Sequence, residues 1–130
     1  MRRGRLMPVA SLIALLTSAC GGGAPTQPSA SSVATIRVVD EVFRVKLVTD
    51  EQIGAARRAQ AGGLARIPTG RIVTGTDVNT GWSWHLEDVA FVEVTIEQCD
   101  GRPSQVEPLG PTFGGGRFCP WAASVIRVDP

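Results

Sequence analysis

Ser83 and His85 stand two residues apart in the run Trp82-Ser83-Trp84-His85-Leu86, where the chain's single histidine meets a hydroxyl nucleophile. With Glu87 or Asp88 orienting the ring, such residue types suit acyl transfer. General-base chemistry requires hydrogen-bond reach, and two side chains at this spacing on a strand share a face but diverge. The chain also has no Gly-x-Ser-x-Gly elbow. No catalytic residues are therefore assigned, and a small Ser83/His85 hydrolase is kept only as the weakest of three functional readings. A zinc reading takes His85, Cys99 and Cys119 as ligands with an open fourth position, but their spacing carries no metal-site signature. Asp77-Val78-Asn79-Thr80-Gly81 looks like the opening of a calcium loop but lacks the later ligands and the distal Glu, so a plain turn is expected. Neither a metal nor a cofactor is expected. The same aromatic run, with Trp121, supplies a candidate binding surface of Trp82, Ser83, Trp84, His85 and Trp121, suited to a peptide or a sugar face. The structural alternative is that Trp84 fills the core and His85 makes one satisfied hydrogen bond.

These residues belong to a chain of 130 residues with 13 basic and 12 acidic groups, 43% apolar and 19% charged. That length supports one domain. The balanced charge excludes a nucleic-acid binder driven by a basic excess, and the apolar fraction argues against a disordered chain.

The first 32 residues read as an address. Arg2, Arg3 and Arg5 form a positive head, and Met7–Leu16 is an apolar run, about half of the roughly 20 residues needed to span a bilayer. This layout matches an export signal over residues 1–19. Leu16-Thr17-Ser18-Ala19-Cys20 resembles the lipobox of bacterial lipoproteins, with Thr17 where that family more often has Leu, Val or Ile. The resemblance implies cleavage after Ala19 and lipidation of Cys20. Residues 20–32 then form an uncharged tether rich in Gly, Pro and Ser. Acyl chains, at roughly 0.8 kcal/mol per buried methylene, would hold the domain at a membrane. Gly21 in place of Asp implies, by the same resemblance, the outer membrane of a Gram-negative envelope. Loss of the three arginines leaves 10 basic and 12 acidic groups, a net of −2.

Residues 33–130 are expected to form a single α+β domain: a small, mostly antiparallel sheet of about five strands with one main helix packed on it, stapled by a disulfide. Val33–Val48 alternates with period two. A turn at Asp40-Glu41 would pair Val38 with Phe43, Ile36 with Val45 and Ala34 with Leu47, while setting Arg37 against Arg44. Thr49-Asp50-Glu51-Gln52 matches a capping box, predicting a helix from Asp50 to about Ala61, stopped by Gly62-Gly63. Further strands are expected at Arg71–Thr74, Trp82–Leu86, Ala90–Ile96 and Ala122–Val128, the last with Ile126 and Val128 on one side. A short helix is expected within Pro103–Leu109. With Cys20 committed to lipid, export to an oxidising compartment makes Cys99 and Cys119 the disulfide pair.

Trp82-Ser83-Trp84-His85-Leu86, Glu93–Asp100 (EVTIEQCD), Pro103-Ser104-x-Val106-Glu107 and Arg117-Phe118-Cys119-Pro120-Trp121 together resemble a family named for the N-terminal region of a calmodulin-binding protein, the "BP-seventy-four" N-terminal domain. The resemblance covers most of Val33–Val128. It implies a domain that brings both cysteine motifs near the tryptophan strand, and it transfers no catalytic residues. The name-giving partner, a sensor of the eukaryotic cytosol, does not carry over to an exported chain. The leading expectation is an envelope-anchored lipoprotein with a non-catalytic binding domain for an unidentified protein, peptide or glycan. Loops at Gly101–Pro111 and Pro111–Gly116 beside the disulfide motivate the alternative of a protease inhibitor, since a rigid loop loses little entropy on binding.

Overall fold

A computed structural model describes residues 31–130. The expected signal segment, Cys20 and nearly all of the expected tether lie outside the described residues. Ser32, assigned to the tether by composition, opens the first strand and is 3% exposed.

β1 (Ser32–Val38) and β2 (Glu41–Leu47) form the expected hairpin. Its register is displaced by two residues: Val38 faces Glu41, Ile36 faces Phe43 and Ala34 faces Val45. The turn falls on Val39-Asp40, with Val39 at φ 60°, a left-handed conformation that costs a β-branched residue roughly 1–3 kcal/mol. A two-residue shift keeps the same side chains inward and sets Arg44 against Thr35 and Arg37 against Val42. The expected Arg–Arg repulsion is thereby avoided. The shift also places Asp40 3.0 Å from Arg102 Nη1, and Glu41 Oε1 accepts from the Ser104 amide at 3.1 Å.

Helix α1 (Asp50–Gln60) carries the capping box: Gln52 N–H donates to Thr49 Oγ1, and Gln52 Oε1 accepts from the Thr49 amide. β3 (Ile67–Thr74) and β4 (Trp84–Val92) pair antiparallel. β4 merges the Trp82–Leu86 and Ala90–Ile96 strands expected separately and ends at Val92. An extra residue enters β4 between the Arg71↔Glu87 and Thr69↔Ala90 pairs, and Asp88 takes φ 53°. This bulge reverses the alternation: Trp84 and Leu86 point inward before it, Val89 and Phe91 after it. Val94 and Ile96 lie beyond the end of the strand, 83% and 65% exposed. Gly70 allows the bulged strand to approach, since a Cβ there would lie 2.9 Å from Leu86 Cβ.

A 3-10 turn (Glu97–Cys99), the short helix α2 (Pro103–Val106) and a kinked 3-10 segment (Gly110–Gly116) lead to β5 (Arg117–Phe118) and β6 (Ala123–Asp129). β6 also holds a bulge, between its pairings with Thr35 and Ile36. Val125 is therefore buried and Ile126 turned outward, so Ile126 and Val128 do not share the expected side.

The domain is α+β with six strands in two three-stranded antiparallel sheets, ordered β2-β1-β6 and β4-β3-β5. One sheet of about five strands was the expectation. The correction follows from burial: each sheet has one apolar face, and the two faces meet in one core around Phe43, Trp84 and Phe118. The Cys99–Cys119 disulfide forms, with Cα atoms 5.1 Å apart. It fastens the 3-10 turn to the end of β5. No described helix is long and apolar enough to cross a membrane.

Candidate functional site

The tryptophan run enters β4 from the loop Gly75–Ser83, and its alternation sends each residue to a different task. Trp84 is 1% exposed and stacks obliquely or edge-on with Phe43, Phe118 and Trp82. It is core, not surface. Its Nε1 has no hydrogen-bond partner among the described residues, so packing alone holds the indole. Trp82 is half-buried, and its Nε1 donates to the Val42 carbonyl at 2.9 Å. Trp121 is 39% exposed, its amide tied to Asp100 Oδ1. The aromatic pairs run through Phe43, Trp82, Trp84, Phe113 and Phe118 and do not include Trp121.

Ser83 and His85 have separate partners. Ser83 Oγ donates to Glu107 Oε1 at 2.8 Å, and the Ser83 amide donates to Glu107 Oε2 at 3.0 Å. His85 Nδ1 lies 2.6 Å from the Gly75 carbonyl and Nε2 lies 3.3 Å from Glu87 Oε1. A carbonyl only accepts, so Nδ1 carries a proton. Nε2 then accepts in the neutral ring, and it donates to Glu87 only as imidazolium. Glu87 also accepts from Arg71 Nη2 at 2.6 Å. The His85 hydrogen bond, then the Arg71 hydrogen bond and charge, hold the exposed Glu87 carboxyl below its ordinary 4.5. The serine hydroxyl is thus committed to a carboxylate on α2's C-terminal side and the imidazole to the β3–β4 face. Cys99 and Cys119 are joined to each other, and the described residues contain no group of three or more metal-ligating side chains.

Asn79 is the residue of this region that sequence patterning overlooks. It is fully buried; its Oδ1 accepts from the Arg44 amide at 2.8 Å and its Nδ2 donates to the Trp84 carbonyl at 2.9 Å. One side chain thus bridges the edges of β2 and β4. In the string Asp77-Val78-Asn79-Thr80-Gly81 it reads as an ordinary turn asparagine, because nothing local marks it as buried.

The concave surface of the domain lies elsewhere. Between α1 and β4 runs a cleft of about 700 Å³, within the range of known ligand sites. Its walls include Gln52, Ala55 and Arg58 of α1, Leu64 and Ala65 beyond the helix, and Val89, Ala90, Phe91 and Glu93. Gln52 reaches across one end, donating from Nε2 to the Val89 carbonyl at 2.9 Å. A smaller hollow of about 280 Å³ adjoins Lys46, Asp77, Leu86 and Asp88. None of Trp82, Ser83, Trp84, His85 and Trp121 lines either cavity. Spacing could not reveal the cleft, because its walls come from two separate segments, residues 49–65 and 88–93.

The family model of the BP-seventy-four N-terminal domain matches residues 29–130, and the chain belongs to that family. No curated protein and no solved structure matches it.

Proposed function

We propose that this member of the BP-seventy-four N-terminal domain family is a lipid-anchored protein of the bacterial envelope whose domain is a non-catalytic binding module. A polypeptide is received in the cleft between α1 and β4. The observation that carries the reading is the cleft itself, an open concavity of about 700 Å³ with apolar walls and charged rims. The separate partners of Ser83 and His85 support a binding role over hydrolysis, since the imidazole has no serine to activate. The anchor rests on the arginine-led apolar segment and the lipobox resemblance at Cys20, with localisation at the outer membrane following from Gly21.

The testing experiment presents envelope peptides and glycans to the full chain and to Ala90→Trp. Ala90 is exposed and lines the cleft, so an indole there fills the cleft without entering the core. Capture of a peptide by the wild type and its loss in Ala90→Trp support the reading. Equal capture by both proteins, preference for glycans, or turnover of an ester or peptide by the wild type overturns it.

Protease inhibition is the second reading, and one observation favours it. Leu109 stands 53% exposed between Pro108 and Pro111, in a segment fastened on one side by the buried Val106 and on the other by Phe113 against Phe118. Unchanged rates of serine and cysteine proteases in excess domain exclude it.

A further inference from the structure

Strand edges expose unpaired backbone groups, and the fold covers several of its own with side chains. On β2, Asn79 Oδ1 takes the Arg44 amide and Trp82 Nε1 takes the Val42 carbonyl. On β6, Gln60 Nε2 reaches the Ile126 carbonyl. On β4, Asn79 Nδ2 takes the Trp84 carbonyl and Gln52 Nε2 the Val89 carbonyl. The end of β4 has no such cover.

β4 is an outer strand of its sheet. Pro68, which faces Phe91, has no amide proton. The Pro68↔Phe91 pair therefore cannot be one of the pairs that exchange two hydrogen bonds, and the Phe91 N–H and C=O point away from β3. The bond from Gln52 to the Val89 carbonyl confirms the same parity two residues earlier. Phe91 is the last residue of β4 whose backbone groups face away from β3, since the strand ends at Val92, and Glu93 follows just beyond the strand. Among the described residues no side chain bonds the backbone of Phe91 or Glu93, and both residues line the cleft. The cleft thus contains an open strand edge at Phe91. Its rim carries the carboxylates of Glu51, Asp88 and Glu93 against the single guanidinium of Arg58, with Asp88 shared with Arg71. Leu64, 79% exposed, offers an apolar contact along the same wall.

We infer that the cleft takes an extended polypeptide carrying alternating basic and apolar residues, which adds as a fourth strand beside β4 and pairs with the backbone of Phe91. This rests on the reading of the cleft as the binding surface and names its ligand class. Main-chain bonds supply the anchoring in strand addition, and side chains supply the selectivity. Here the selectivity comes from Glu51 and Glu93, which repel an acidic segment.

The test is amide hydrogen exchange, read residue by residue in the full chain, with an alternating lysine–valine octapeptide and its glutamate–valine counterpart. The lysine peptide is expected to slow exchange at the Phe91 amide about tenfold or more at saturation. The double variant Glu51→Lys/Glu93→Lys, both positions exposed, is expected to bind it about tenfold more weakly while keeping the wild-type exchange pattern elsewhere. Cleft resonances that shift while Phe91 exchange stays unchanged overturn strand addition and leave the cleft as the site. Equal binding of the acidic peptide overturns the charge selectivity. Binding of neither peptide overturns the inference, and the response of Ala90→Trp to other ligands then decides separately whether the cleft binds at all.

Discussion

Replacing Asn79 with Ala removes two hydrogen bonds from a side chain with no solvent exposure, and it strands both former partners. Each bond contributes about 1 kcal/mol net, and a buried group left unpaired costs about 1–3 kcal/mol more. The Trp84 carbonyl bears this second cost fully and the part-buried Arg44 amide in part, giving a loss of about 3–4 kcal/mol for Asn79→Ala. For a domain of this size, whose total stability is about 5–15 kcal/mol, that is a large fraction. Urea unfolding followed by tryptophan fluorescence should show the midpoint falling by about 2 M at unchanged slope. Asn79→Asp sharpens the test. It keeps the acceptor for Arg44 but sets a carboxylate against the Trp84 carbonyl, so burial and that contact raise the folded carboxyl pKa. The stability of Asn79→Asp is therefore greatest at acid pH and is lost as pH rises through the raised folded value. A loss below about 1 kcal/mol in Asn79→Ala, or an Asn79→Asp variant insensitive to pH, refutes the bridge between β2 and β4.

Removing the disulfide with Cys99→Ser/Cys119→Ser should cost about 3 kcal/mol by the loop-entropy relation, measured as the urea midpoint against the wild type under oxidising conditions. Glu87 has its carboxyl pKa depressed below 4.5 by His85 and Arg71, so its contribution is present above the unfolded pKa and disappears as pH falls through the folded one. Thermal midpoints of wild type and Glu87→Gln should accordingly converge as pH drops below 4.5. Gly70→Ala forces a Cβ to within 2.9 Å of Leu86 Cβ and 3.1 Å of the Glu87 carbonyl. A destabilisation of about 1–3 kcal/mol is expected from overpacking, and a wild-type midpoint would show that the bulged strand yields.

Local contacts were the legible part of this fold. The capping box of α1 joins residues three apart, so Thr49 and Gln52 announce it. The inward faces of β1 and β2 follow from alternation alone, whereas their register does not, because registers two residues apart bury the same side chains. Distant groups favour the observed register: Arg102 for Asp40 and Ser104 for Glu41. Strict alternation continued from Trp84 and Leu86 would turn Ala90 and Val92 inward, whereas the bulge at Asp88 inverts parity with no glycine in β4 to signal it. Two sheets in place of one were equally hidden, because periodicity tells which residues share a face but not which faces meet. At the candidate site, the tryptophan run was conspicuous by composition and turns out to be divided among core, loop and edge-covering roles. The cleft and the Asn79 bridge arise from contacts between distant segments and leave no mark on spacing.

The most direct measurement of the binding-module account is a residue-by-residue map of amide shifts in the full chain on addition of a captured peptide. Shifts are expected at Gln52, Ala55, Ala90 and Phe91, with Ser83, His85 and Trp121 unmoved. Shifts centred on Ser83, His85 and Trp121, with the cleft silent, would contradict it.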